Sequence, residues 1–336
     1  MSLRDESSTL PGISTRGDVR FDQPWSLPQI SVIMDINELS TQSQRYLISN
    51  FSYSPGLGNI MFQYAAMKSL SIKYNARIIL PESCKLRRAF QLNATYLSDD
   101  LTELLIKNLD NRKIDFKECC KYQQELMNGL FSNASQNIEL LTGYFQTFRY
   151  FHPEEEKRIR EEFTFLPEIK KKAERYLQLA KSERLNYKKD KNNNYVFIGV
   201  HVRHGIDITM NSRNYLHGHI AANPRYFSHA MDYYRTKYRN LIFMISSDNE
   251  YWTKKYIKGR EEGEVFILST GYREVDLAVL SVCEHIIMST GTFSWWAAYL
   301  AGGSAIYYKN WPANGSILEK MVEKKDYFLE NWMPMS

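Results

Sequence analysis

The chain has 336 residues, 43% hydrophobic and 24% charged, a composition that fits a globular protein of about two domains at roughly 150 residues each. Its net charge of +5 is a weak basic excess that suits an anionic small ligand and is too small to argue for a nucleic-acid surface. No run approaches the roughly 18 apolar residues of a membrane-spanning helix, and the opening MSLRDESSTLPG lacks the basic-then-apolar pattern of a signal peptide, so no anchor is encoded in this stretch.

Residues 1–45 are polar and turn-rich apart from the patch Ile30-Ser-Val-Ile-Met34, and read as a stem or poorly ordered arm. A β-like run over 46–53 leads into the turn Pro55-Gly-Leu-Gly-Asn59. A helix over 60–74 and a strand over 76–80 follow. Strand, glycine turn, helix and strand in that order make a βαβ unit. Residues 98–128 are mixed, and 140–148 are aromatic and β-like.

A charged helix is predicted over about 153–184 from the helical spacing of Ile159, Phe163, Ile169, Ala173 and Leu177. Pro167 breaks it in two. The run 186–194, NYKKDKNNN, is the clearest linker. Beyond it, strands are predicted at 195–202, 241–246, 264–268, 285–288 and 305–308, and helices at 224–238, 274–283 and 293–301. Near-continuous apolar strands alternating with helices mean a parallel sheet covered on both faces. The divisions expected are therefore an arm at 1–45, an N-terminal domain at 46–150, a helical connection and linker at 151–194, a second domain at 195–312, and a C-terminal tail at 313–336.

Chemistry concentrates where apolar strands end, since ligands of open α/β sheets bind beyond the carboxyl ends of strands. The segment Gly199-Val-His-Val-Arg-His-Gly-Ile-Asp207 puts Arg203 at such an end, where its planar fork can hold a phosphate. A plain surface arginine is the alternative. The segment Ser289-Thr-Gly-Thr-Phe-Ser294 starts a helix whose free N–H groups, with Thr292 and Ser294, can bind an anion; simple capping by Thr292 is compatible with this. The glycines of 55–59 permit close backbone approach to a ligand. Asp248 and Glu250, in Ser246-Ser-Asp-Asn-Glu250, are candidate acids or bases. His201, His204 and His285 are scattered, and a histidine ending an apolar strand more often serves structure. No strand is followed by G-x-G-x-x-G, which argues against a dinucleotide-binding enzyme.

The chain has 4 cysteines, and 23 Tyr, 17 Phe and 6 Trp. No CxxC pair or His/Cys cluster has metal-site spacing, so no metal is expected. Neighbours Cys119 and Cys120 would be strained as a mutual pair, so any disulfide is expected to link one of them to Cys84, and four cysteines fit an oxidising or a reducing compartment equally. The aromatics suit sugar stacking, but most are expected in the core. Asn50, Asn93, Asn133 and Asn314 each begin an N-glycosylation pattern, which favours a secretory lumen.

Taken together, these segments resemble the α-1,2-fucosyltransferase family, the galactoside 2-L-fucosyltransferases. The family's G-R-L-G-N-Q-M signature is similar to Gly56-Leu-Gly-Asn-Ile-Met61. Its H-V-R-R-G-D is similar to His201-Val-Arg-His-Gly-Ile-Asp207, and its F-(S/G)-(W/I)-W-A-A-Y-L to Phe293-Ser-Trp-Trp-Ala-Ala-Tyr-Leu300. Leu141-Thr-Gly-Tyr-Phe-Gln-Thr-Phe148 also looks like family sequence, and the match runs over about 50–330 in order. The resemblance implies a glycosyltransferase-B fold of two Rossmann-like domains with a donor/acceptor cleft between them. It implies inverting, metal-independent transfer of L-fucose from GDP-fucose to the 2-hydroxyl of a terminal galactoside on a glycan.

The 46–150 domain would then lie on the acceptor side and 195–312 would bind GDP-fucose, a substrate rather than a cofactor. Arg203 would hold the pyrophosphate, Asp276 would lie near the guanosine, Ser294 with Thr292 and Phe293 would form the phosphate-facing turn, and Gly58 and Asn59 would face the donor across the cleft. His201 accompanies Arg203 in the motif, and Asp207 and Asp248 are the candidates for the base. A membrane-associated place in the Golgi lumen is the family's. The departures are His204 for the family's second arginine, Ile206 between Gly205 and Asp207, and Gly56 for the first signature's arginine. They leave a second reading, a catalytically impaired binder of GDP-sugar or glycan, and a third, a fucosyltransferase of another linkage.

Overall fold

A computed structural model describes residues 23–40, 44–51, 56–116, 118–132, 137–187 and 194–336. The first half runs β1 (Val32–Ile33), α1 (Asn37–Ser40), β2 (Arg45–Ser49), α2 (Leu57–Lys73), β3 (Ala76–Pro81), β4 (Thr95–Leu97), α3 (Asp99–Leu109), β5 (Ile114–Phe116), α4 (Gln124–Met127) and β6 (Ile138–Gly143). Its strands make a six-stranded sheet in the order β1-β4-β3-β2-β6-β5, with every pairing parallel. Then α5 (Glu156–Glu162) and α6 (Pro167–Tyr187) divide the predicted charged helix at Pro167, because a proline suits the first turn of a helix and not its interior.

The second half runs β7 (Val196–Val202), α7 (Ile206–Thr209), α8 (Ser212–His217), α9 (Pro224–Lys237), β8 (Leu241–Ser247), α10 (Glu250–Tyr256), β9 (Val265–Ile267), α11 (Arg273–Ser281), β10 (His285–Ile287), α12 (Thr292–Ala301), β11 (Ala305–Tyr308), α13 (Ile317–Met321), α14 (Lys324–Tyr327) and β12 (Met333–Met335). The second sheet, β12-β11-β10-β7-β8-β9, is again parallel in every pairing. Its central strands are largely apolar, as a sheet buried on both faces demands; six consecutive residues of β8 are buried. Asn223 starts α9 by accepting the Tyr226 N–H, with Pro224 in the first turn.

Two helices sit at the centre. On α2, Met61, Phe62, Tyr64, Ala65 and Ala66 are fully buried, as are Trp295 and Trp296 on α12. The Phe62 ring lies 4.5 Å from that of Trp295 and 5.0 Å from that of Trp296. Phe151 stacks on Trp296 at 5.6 Å. Much of the aromatic content therefore fixes the two helices against each other.

Three parts of the sequence reading change. Residues 23–40, expected as arm, pack onto the body. Trp25 is buried and its indole donates to the Arg88 carbonyl at 2.9 Å, and β1 extends the first sheet; the patch around Ile30 is a short edge strand. Residues 1–22 and 41–43 lie outside the described residues, as do Asn133 and most of the 186–194 linker. The expected tail also packs: β12 closes an edge of the second sheet, and Asp326 accepts from the Tyr122 N–H at 3.0 Å and from Arg149 Nη1 at 2.9 Å. Finally, Cys119 and Cys120 are joined to each other, and Cys84 is free and buried. Cys84 follows β3 and the pair follows β5, three strand positions away in the sheet. That is about 14 Å at 4.8 Å per strand, beyond the roughly 7 Å between Cα atoms that a disulfide spans.

Candidate functional site

The carboxyl end of β7 delivers Arg203. Its backbone N–H donates to Ser289 Oγ at 3.1 Å, and its Nη2 pairs with Asp207 Oδ2 at 2.5 Å. The guanidinium crosses Gly291, whose φ is +91°; a Cβ there would stand 2.5 Å from Arg203 Nη1. Only glycine accepts both that backbone and that neighbour.

Behind Arg203, the buried His201 ring shares a hydrogen bond of 2.6 Å between Nδ1 and Ser294 Oγ, and Ser289 Oγ lies 3.1 Å from the same nitrogen. Burial, assisted by the Arg203 charge, pushes its pKa down to about 3. His201 is thus a neutral strut that ties the end of β7 to the start of α12.

The start of α12 carries no side-chain cap: the cap residue is Gly291. Thr292, expected to cap it, donates its hydroxyl to Asn59 Oδ1 at 2.6 Å instead. The start of α2, after Gly56, is also uncapped by any side chain. These two helix starts touch. A Cβ on Gly58 would lie 2.7 Å from the Thr292 carbonyl carbon, and the Trp296 indole donates to the Gly58 carbonyl at 2.9 Å. Gln146 Nε2 donates to Asn59 Oδ1 at 3.1 Å. The N–H groups of two helix starts, with an arginine beside them, suit an anion.

The starts open on a cavity of about 1010 Å³. Gly58, Asn59, Arg203, Thr292 and Phe293 line it, whereas His201 and Ser294 stand behind its wall. The structure does not bring the acidic candidates to the wall. Asp207 is held against Arg203. Asp248 Oδ1 accepts the His204 N–H at 2.6 Å; burial raises its pKa although the amides of His204 and Gly205 pull it down. It braces the turn after β7. Asp276 accepts from Ser246 Oγ at 2.9 Å and from Thr270, and burial raises its pKa too. Among the described residues, no Asp or Glu lines the cavity, and no group of three or more His, Cys, Asp or Glu converges as metal ligands would.

His204 also turns away from the wall: its ring stacks on Trp252 at 4.1 Å. Gly56 lines the cavity. Sequence reasoning missed Arg273, Arg213, His217, His219, Tyr144, Trp311 and Tyr327, all on the wall. Arg273 opens α11 beyond a strand end, the one signal that could have found it. The others come from short helices and loops with no periodic pattern.

The family model described as glycosyl transferase family 11 matches residues 18–336. The chain belongs to this family. A galactoside alpha-(1,2)-fucosyltransferase 2 of Bos taurus is 33% identical over 82% of this chain and 76% of its own length. A galactoside alpha-(1,2)-fucosyltransferase 1 of Ateles belzebuth is 28% identical over 82% of this chain and 71% of its own. Among solved structures, POFUT1 in complex with GDP is similar with a TM-score of 0.50 and 10% identity, over 80% of this chain and 99% of that one; that likeness speaks to fold alone.

Proposed function

We propose that this glycosyl transferase family 11 chain moves L-fucose from GDP-fucose to the 2-hydroxyl of a terminal galactoside, with inversion and without a metal. The observation that carries the reading is the convergence of two uncapped helix starts and Arg203 on one cavity whose described wall holds no carboxylate. A nucleoside diphosphate leaving group gathers negative charge as its bond to the sugar breaks. Fixed N–H dipoles and a guanidinium aimed at that charge stabilise it without any rearrangement, and with no metal in the step.

In this reading the two sheets belong to two Rossmann-like domains of a glycosyltransferase-B fold, with the cavity as the cleft. The 46–150 side receives a galactose-terminated glycan, and the 195–312 side holds the donor. The relatives' names support the linkage, and the sequons at Asn93 and Asn314, both exposed, fit work in the Golgi lumen. Among the described residues no helix is long and apolar enough to cross a membrane. Asp276, buried among hydroxyls, would meet the guanosine only if its pocket opens on binding. Of the two departures behind the impaired-binder alternative, the His204 ring stacks on Trp252 away from the cavity wall and Gly56 lines the cavity.

Incubation with GDP-fucose and a β-galactoside in EDTA, followed by NMR of the product, tests the reading. An α-fucosyl group on the galactose 2-hydroxyl is expected from inversion of the β-linked donor. A different linkage selects the rival fucosyltransferase reading, and a bound but unreacted donor selects the impaired binder.

A further inference from the structure

A transfer to a hydroxyl releases a proton, and something must take it. The carboxylates that the sequence offered for this are committed elsewhere: Asp207 to Arg203 and Asp248 to the backbone of the 203–205 turn. The titratable groups on the described wall are Arg203, Arg213 and Arg273, Tyr144 and Tyr327, His217 and His219, and the joined Cys119 and Cys120. Arginine does not deprotonate in proteins and so cannot accept. Burial pushes the Tyr327 hydroxyl well above its ordinary value, so it stays protonated. The cysteines are bonded to each other and do not titrate. Tyr144 and the two histidines are left, and of these the histidines carry the ring nitrogen that takes a proton near neutral pH.

They differ in how they are held. His219 follows Gly218, the left-handed cap of α8, whose φ is +115° and where a Cβ would collide with Ser316. The Gly218 carbonyl accepts the Ala313 N–H at 3.0 Å. On the other side, the Ile220 carbonyl accepts from Thr290 Oγ1 at 3.2 Å, and Thr290 directly precedes the Gly291 that supports Arg203. His219 is therefore tied to the same turn that forms the anion site. His217 belongs to the last turn of α8, a helix with no fully buried residue. The two rings stand 5.6 Å apart.

We propose that His219 is the general base of the transfer. The proposal rests on the fucosyl-transfer reading above. The acceptor O–H bond breaks and its proton passes to the free ring nitrogen of His219. The acceptor oxygen bonds to the anomeric carbon as the bond from that carbon to the phosphate oxygen breaks, and the electron pair leaves with GDP. The imidazolium then returns its proton to solvent, so the balance is one glycoside, one GDP and one proton. The groups facing His219 support a neutral ring: burial, then Arg203 and His217, hold its pKa down to about 4, against the opposing pull of Asp207. A neutral imidazole keeps one nitrogen with a lone pair.

The test uses the whole chain and two variants, His219→Asn and His219→Ala. It reads acceptor-dependent transfer, GDP-fucose hydrolysis without acceptor, and GDP affinity. A positioned base contributes about 10²–10⁴-fold. We expect His219→Asn to lose at least about 10²-fold in transfer, with GDP affinity unchanged. We expect added imidazole to restore transfer to His219→Ala in part. Unchanged GDP affinity also shows that the variants are folded. Transfer unchanged in His219→Asn overturns the proposal. GDP affinity falling in step with transfer also overturns it, because His219 would then be a phosphate ligand. A wild-type chain that neither binds GDP nor transfers fucose fails the underlying reading instead, and is seen before any variant is compared.

Discussion

The wall of the cavity is built in two ways. On the side of β7, β10 and α12, the polar groups beneath Arg203 are buried and paired: His201, Ser289 and Ser294 form one hydrogen-bonded cluster, and Trp295 and Trp296 lock the helix from behind. On the rim formed by α7 and α8, apolar side chains face outward; Met210 is 78% exposed and Leu216 is 74% exposed. A pre-organised anion site requires donors that do not move when charge develops. A rim that meets varied glycans gains from side chains that can repack. We propose that the first region stabilises the leaving group and that the exposed rim adds contacts to the glycan that the 46–150 side receives.

The comparison breaks first at Arg203. Arg203→Ala is expected to cost about 10²–10³-fold in transfer with little change in melting temperature, since the side chain is partly exposed; steady-state kinetics beside a thermal melt check this. Next is Gly58→Ala, which drives a methyl into the Thr292 backbone. Overpacking of this kind costs about 1–3 kcal/mol, read as a lower melting temperature together with weaker GDP binding.

Smaller is Ser294→Ala, which leaves His201 one hydroxyl partner where it had two and is expected to cost about 1 kcal/mol. His201 also sets a pH dependence. Its folded pKa of about 3 lies below the ordinary value of about 6.5, so the unfolded chain binds the extra proton. Stability from this group is present above roughly pH 6.5 and is lost as pH falls toward 3. Melting temperatures across that range should flatten in His201→Gln. The smallest effect belongs to the rim: Leu216→Ala should change stability by less than about 0.5 kcal/mol and move only the acceptor KM.

The parts legible in the sequence were those with a strong local cause. The strands β7, β8, β10 and β11 are apolar runs between turn residues, and α2 and α12 follow glycine turns at strand ends, so both elements and their ligand-facing ends could be read. The short elements could not. β1 spans two residues and β12 three, each held only by pairing with a neighbour distant in sequence, and α3 with β5 lay in a stretch without a clean period. The placement of Arg203, Gly58, Thr292 and Phe293 on the cavity wall was legible, because it follows from strand ends. It failed for Asp248 and Asp276, because a carboxylate near a strand end may face the ligand or turn inward to backbone amides and hydroxyls, and burial decides which. It missed His219, whose position depends on Thr290 and Ala313, about 70 and 94 residues further along the chain.

The most direct test of the donor site is acceptor-dependent GDP release from GDP-fucose in EDTA, measured for the wild-type chain and Arg203→Ala. We expect release that requires a β-galactoside, persists in EDTA and is lost in the variant. Equal release by the variant, or a wild-type chain that does not bind GDP at all, would contradict the assignment of this cavity to the donor.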